Sequence, residues 1–287
     1  MERIRQAWAD HGRQFGQYRY VYPVISRRAK GISLGINLNP DLACNFDCPY
    51  CQVDRTGTNP PEPKFSMEGL QAEIEHALGH WMENRFTDSP RFQGIPLDQL
   101  DLKDLCMSGD GEPTMEPMFP KVCELLLQIQ SLFVDHPIKL VLITNATLLH
   151  QEKVREGLRV LTSQSGEIWG KLDAGTEPWF QRMSRSRYRL DQIEANLHKT
   201  VADFPLRIQT MLCTVDGAPP DQNELDAWMQ RIQRIYQTNP KNLLEVQLYS
   251  VIRRTATETA GALPSSFLQD VAAMLGSHIP VPVGVYS

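Results

Sequence analysis

The sequence predicts an α/β protein built on a parallel sheet, and three observations carry that expectation. β-rich runs alternate with amphipathic helical stretches from residue 31 onward. The alternation repeats six times, and parallel neighbours need a crossover for which a helix is the usual solution. At 287 residues with 41% apolar side chains, the chain can fill one large core.

In chain order, residues 31–38 form the first β-rich run, and the proline-rich piece at 59–64 reads as a loop. A helix is expected over 66–85, a strand over 104–108 and a helix over 120–133. The series continues with a strand over 139–145, a helix over 150–162, a strand over 167–173 and a helix over 190–203. It ends with a strand over 206–215, a helix over 222–237, a strand over 244–251, a helix over 265–275 and a last strand over 281–286. Each helix carries apolar residues at three- and four-residue intervals. Six units are too few for an eight-unit barrel and fit either an open doubly wound sheet or an incomplete barrel. In both, ligands sit at the carboxyl ends of the strands, so the residues that close each β-run are the informative ones. Residues 1–30 read as an N-terminal extension or cap and residues 31–287 as the main domain.

The formal net charge of −5 does not favour nucleic-acid binding through overall positive charge. The first 30 residues hold seven Lys or Arg against two acidic residues, which makes that segment a cap or a basic contact surface. Tyr18, Tyr20 and Tyr22 there offer aromatic faces that can stack on bases. The N-terminus lacks a basic start followed by an apolar stretch, and no apolar run approaches bilayer length, so a soluble cytoplasmic protein without membrane contact is expected.

Three of the six cysteines, Cys44, Cys48 and Cys51, fall within eight residues with the spacing CxxxCxxC, just past the first strand. Thiols so close in a loop of Asn, Asp and Pro point to metal ligation. A structural zinc would want a fourth protein ligand, and no neighbouring His or Cys supplies one. Three thiolates suit a cubic 4Fe-4S cluster with one iron left open, and three reduced cysteines in a turn are the plain alternative. Cys106, Cys123 and Cys213 sit singly in apolar runs and read as small buried residues.

Tyr50 stands just before the last loop cysteine, and the run from Ser108 to Thr114 (SGDGEPT) closes the second strand. With the cysteine spacing, these residues make the chain resemble the radical S-adenosylmethionine (radical SAM) enzymes, whose glycine-rich GGEP motif falls at this strand end. Asp110 between the two glycines departs from that motif. This variant, with the runs at 144–147 (TNAT) and 171–174 (KLDA), is most similar to the wyosine-type tRNA-modifying enzymes and their relatives.

The resemblance implies a partial (β/α)6 barrel with a parallel sheet, whose 4Fe-4S cluster is held by Cys44, Cys48 and Cys51 and whose open iron is chelated by SAM. Reductive cleavage of SAM would then yield a 5'-deoxyadenosyl radical that abstracts hydrogen from a substrate, with the electron coming from a flavodoxin- or ferredoxin-type donor. Gly109 and Gly111 let backbone approach a ligand, with Asp110 between them, and Glu112 offers a carboxylate to the SAM ammonium. Asn145 and Asp173 end β-runs and would face the barrel mouth, with Lys171 on the same side as Asp173. Tyr50 and Gln209 complete the expected cofactor contacts. Gln247, Arg253 and Arg254 are polar residues in or after the sixth run, with structural roles equally open to them. Because the cofactor supplies the hard step, no side chain is assigned as nucleophile or general base, although Tyr249 and Tyr286 lie at the correct barrel end to return or remove a hydrogen. A small metabolite or a peptide is the expected substrate. The alternatives are a tRNA base and a non-catalytic protein that binds SAM and the cluster.

Overall fold

The computed structural model describes residues 15–55 and 65–286. The proline-rich loop expected at 59–64 and the first 14 residues of the basic N-terminal segment lie outside the described residues. Among the described residues, ten strands form an eight-stranded sheet of order β1-β2-β3-β4-β5-β6-β8-β10 and a two-stranded ribbon of β7 and β9. The sheet curls into a half-barrel, so the partial barrel is the architecture and the open doubly wound sheet is not.

The parallel strands are β2 (Gly31–Ile36), β3 (Leu102–Met107), β4 (Lys139–Thr144), β5 (Glu167–Lys171), β6 (Leu206–Met211), β8 (Leu243–Tyr249) and β10 (Val283–Tyr286). Seven α-helices among the described residues serve the connections: α1 (Met67–Met82), α2 (Phe119–Ser131), α3 (Glu152–Leu161), α4 (Glu177–Ser184), α5 (Leu190–Asp203), α6 (Gln222–Thr238) and α7 (Ser265–His278). Their starts are chemically marked. The Ser66 hydroxyl accepts the Gly69 amide at α1, the Thr176 hydroxyl accepts the Trp179 amide at α4, and Asp221 accepts the Glu224 amide at α6. In α1 the buried residues Leu70, Ile74, Ala77 and Leu78 follow the helical repeat and lay one face on the sheet.

Three features depart from the expected series. Residues 21–26, placed above in the N-terminal extension, form β1 (Val21–Ser26), which pairs antiparallel with β2 and makes one edge of the sheet. Helix α4 is an extra helix in the fourth crossover. The run expected at 206–215 breaks after Met211, and Cys213–Val215 leaves as β7 to pair with β9 (Ala260–Ala262). Glu73 of α1 anchors the chain entering β1 by accepting the amides of Arg19, Tyr20 and Val21 at 2.7–3.1 Å. Tyr20 and Tyr22 are buried, and Tyr18 bonds His76 Nδ1 at 2.5 Å, so the first two do not present faces for stacking on bases. Across the open side of the half-barrel, Arg27 Nη1 donates to the Tyr286 carbonyl at 3.4 Å and joins the β1 and β10 edges. No helix among the described residues is long and apolar enough to cross a membrane.

Candidate functional site

A cavity of about 330 Å3 fills the concave side of the half-barrel. Its mouth is built by two loops that follow adjacent strands, the cysteine loop after β2 and the glycine loop after β3. Asn37 locks them together, its Oδ1 accepting the Asp110 amide at 3.1 Å and its Nδ2 donating to Asp110 Oδ2 at 2.6 Å. Both glycines are required by this contact. Gly109 has φ +155 and a Cβ there would strike Asn37, while a Cβ on Gly111 would run into the Ala43 carbonyl. The glycines expected to admit a ligand therefore also admit the cysteine loop itself.

Cys44, Cys48 and Cys51 all line this cavity and are free thiols. Burial pushes Cys48 up to about 12 and raises Cys44 as well, with Lys171 and Arg55 opposing the rise in part. Cys51 Sγ accepts from the Val53 amide at 3.4 Å and from Arg55 Nη1 at 3.3 Å. Among the described residues no three His, Cys, Asp or Glu side chains converge around a single-ion position. A cubic cluster does not ask for that, because each of its irons takes its own thiolate. Three soft donors on one loop, with amide and guanidinium donors to sulfur beside them, form a set that fits an iron-sulfur cluster.

Arg55 was not singled out by sequence reasoning, yet it ties the mouth together. Its Nη2 donates to the Asp110 carbonyl, its Nε to the Leu42 carbonyl at 3.1 Å, and its Nη1 to Cys51. The signal was present in the sequence, since a lone Arg four residues past the last cysteine is within reach of that sulfur.

The remaining predicted residues divide into cavity wall and support. Glu112 is buried, and its Oε1 accepts from the Thr114 amide, the Thr114 hydroxyl and the Thr144 hydroxyl, while its Oε2 accepts the Asn145 amide at 2.7 Å. The carboxylate thus fastens the end of β3 to the end of β4. Burial raises its pKa, and these neutral donors oppose the rise only in part. Asn145 reaches the cavity wall and uses its side chain on Asn45 at 2.6 Å and on Thr147. Gln209 bonds Gln247 at 3.0 Å, is fully buried and stands off the cavity wall.

Lys171 and Asp173 do come together, 3.2 Å apart at the end of β5. Tyr50 donates to Asp173 Oδ2 at 2.6 Å, Lys171 donates to the Tyr249 hydroxyl at 2.5 Å, and the Met211 amide donates to Asp173 Oδ1 at 2.8 Å. Burial alone would lower the Lys171 pKa, but Asp173 and Tyr249 reverse that and keep it a cation. This network lashes the cysteine loop, through Tyr50, to β5, β6 and β8. Burial also raises the pKa of Tyr50 and Tyr249, which keeps both phenols protonated. Tyr286 bonds Glu245 at 2.8 Å, and Arg253 lies on the cavity wall. Cys106, Cys123 and Cys213 are buried free thiols.

No family model matches the chain. A UPF0026 protein of Methanocaldococcus jannaschii is 33% identical over 138 residues, 47% of this chain and 36% of the relative. The S-adenosyl-L-methionine-dependent tRNA 4-demethylwyosine synthase of Saccharomyces cerevisiae is 25% identical over 161 residues, 54% of this chain and 18% of that protein. The chain spans about a third of the length of the first curated relatives it matches. Among solved structures, TYW1 with a lysine-pyruvate adduct bound superposes with TM-score 0.54 at 15% identity, over 96% of this chain and 80% of that one. A radical SAM methyltransferase from Sphaerobacter thermophilus gives TM-score 0.58 at 13% identity, over 93% and 68%. The half-barrel is thus the fold of radical SAM enzymes, and the curated matches fit the wyosine-like resemblance read from the motifs.

Proposed function

We propose that the chain is a radical SAM enzyme in which Cys44, Cys48 and Cys51 hold a 4Fe-4S cluster and the glycine loop receives SAM. The observation that carries this reading is the meeting of the two loops at one cavity, three thiols on one side and Gly109 and Gly111 on the other. When bound, cluster and SAM supply a one-electron cleavage that delivers a 5'-deoxyadenosyl radical for hydrogen abstraction.

The protein's own part is position and exclusion. Asn37 and Arg55 set the distance between the loops, Glu112 holds the glycine loop against β4, and the pairing of Tyr50 with Asp173 fixes the cysteine loop over the strand ends. Lys171 and Asp173 bring paired charge to the mouth, within reach of SAM's polar groups, and Asp110 and Asn145 add acceptors there. Gln209 supports from behind the wall. Within the segment expected as an N-terminal extension, Val21–Ser26 completes the barrel edge as β1. A flavodoxin- or ferredoxin-type donor supplies the electron.

The cavity volume is at the low end of small-molecule sites and favours a small substrate. The wyosine synthase match supports a second reading, a base of tRNA, which would reach the cavity through its mouth. The test is anaerobic reconstitution with iron and sulfide, then dithionite and SAM, with 5'-deoxyadenosine measured beside a Cys48→Ala control. Deoxyadenosine that depends on Cys48 supports the reading. A well-folded protein that takes up no cluster refutes it, and SAM binding without cleavage under any substrate screen favours a non-catalytic binder.

A further inference from the structure

The cavity wall along the open side of the half-barrel carries two adjacent arginines. Because β1 runs antiparallel to β2 and Ser26 faces Gly31, the turn holding Arg27 and Arg28 follows β1 at the amino end of β2, and across the open side of the half-barrel it meets Tyr249 and Tyr286 at the carboxyl ends of β8 and β10. Both arginines line the cavity. The Arg28 guanidinium lies over the Trp169 ring at 5.1 Å and the Tyr249 ring at 5.5 Å, and its Nη1 is buried with no hydrogen-bond partner. Burial lowers the Arg27 pKa, and the neighbouring Arg28 charge lowers it further.

The nearby carboxylates are engaged elsewhere. Asp104 feels Arg28 but accepts the Ser33 hydroxyl, Glu167 is held by Lys139 and Arg207, and Glu245 is held by Arg207 and Tyr286. The charged side chains on the cavity wall are Arg27, Arg28, Lys171 and Arg253 against Asp104 and Glu112, in a chain whose net charge is −5. A buried charged donor left unmet and two adjacent like charges both cost free energy, and one anion relieves both. The planar arginine fork, with its faces stacked on rings, keeps its edge N–H groups for a carboxylate or phosphate.

We propose that Arg27 and Arg28 form an anion seat on the cavity wall at the open side of the half-barrel, so that the substrate carries a carboxylate or phosphate at the end that meets them. The proposal rests on the cavity being the substrate chamber of the enzyme proposed above. A substrate with no acceptor at that end would leave Arg28 Nη1 unmet, and a neutral acceptor would leave the two like charges uncompensated.

The test uses the reconstituted holoenzyme and two probes, inorganic phosphate and malonate, each titrated by calorimetry and tryptophan fluorescence against chloride at matched ionic strength. Saturable binding of either probe, weakened roughly tenfold or more by Arg28→Gln and partly restored by Arg28→Lys, supports the seat. Binding by phosphate alone or by malonate alone assigns the group. Binding no better than chloride overturns the proposal, and so does Arg28→Gln binding like wild type while melting like it. If Arg28→Gln does not fold, the wild-type melting temperature decides: a rise with phosphate or malonate beyond chloride supports the seat, and its absence overturns it. The same titration on Cys48→Ala separates the claims. If wild type makes no deoxyadenosine yet both proteins bind the probe through Arg28, the seat stands and the reaction reading falls.

Discussion

The inner face of the half-barrel carries two carboxylate systems that solve burial in opposite ways. Below the cavity, Glu167 and Glu245 flank Arg207, with N–O distances of 2.6 Å on either side, and Lys139 closes on Glu167 at 2.8 Å. Burial would raise the Glu167 pKa, but bonds from Arg207 and Lys139 overwhelm it and bring it down to about 2. At the mouth, Glu112 is held by hydroxyls and amides, with no cation among the donors, and its pKa is raised. The lower system is a closed ion ladder that welds β5, β6 and β8. The upper one fixes loops through neutral donors alone, and the cations near the thiols, Arg55 and Lys171, are held by other partners.

Four predictions break or sharpen this contrast, and the largest effect is expected at the mouth. Cys44→Ser or Cys51→Ser should abolish cluster loading after reconstitution, read as iron and sulfide per chain and as loss of the sulfur-to-iron absorption. Thermal stability of the unreconstituted protein should change little. Loading at the wild-type level in either variant would remove that cysteine from the ligand set.

The ladder should behave in reverse. Arg207→Met removes the cation shared by two mostly buried carboxylates, leaving Glu167 with Lys139 and Glu245 with neutral donors, and should cost about 3 kcal/mol in urea unfolding. It should leave cluster loading per folded molecule near wild type. Loss of loading without loss of stability would show that the two systems are not separable.

Gly111→Ala tests the contact between the loops. A methyl there meets the Ala43 carbonyl, so the cysteine loop must move, with a cost of about 1–3 kcal/mol. Cluster loading should fall more than stability does. An alanine variant that loads fully would mean that the loops are looser than their geometry implies.

These contrasts also show what the sequence could and could not reveal. The alternation of strand and helix located the parallel strands and the six anticipated crossover helices, and α5 fell at residues 190–203 as expected, because apolar spacing reports directly which face is buried. β1 was hidden by Pro23 and by the basic residues around it. An edge strand tolerates proline because one side of its backbone is unpaired, and composition does not carry that information. α4 has eight residues, too few for two clear repeats, although Thr176 and Pro178 mark its start. The thiols, glycines and the pair of Lys171 with Asp173 were legible because strand ends point at one place. The partners of Glu112, Gln209 and Arg28 come from other strands, 32 to 221 residues away in the chain, and only the folded register names them.

The smallest effect concerns Asp104, which lies between the two systems and belongs to neither. Burial pushes its pKa up to about 6, with the Ser33 hydroxyl, Arg28 and Lys139 opposing the rise and Glu167 adding to it. A carboxyl raised above its unfolded value near 3.9 binds its proton more tightly in the native state. Between those two values the folded protein therefore holds more protons than the unfolded chain, and stability falls as pH rises through roughly 4 to 6. The slope contributed by this one group is at most about 1.4 kcal/mol per pH unit. Asp104→Asn should flatten that part of the curve. Arg28→Gln should move it to higher pH, because the cation that holds the carboxylate down is gone. Urea titrations at half-unit pH steps would show it, and a curve that Asp104→Asn leaves unchanged would mean that the proton belongs to another group on the inner face.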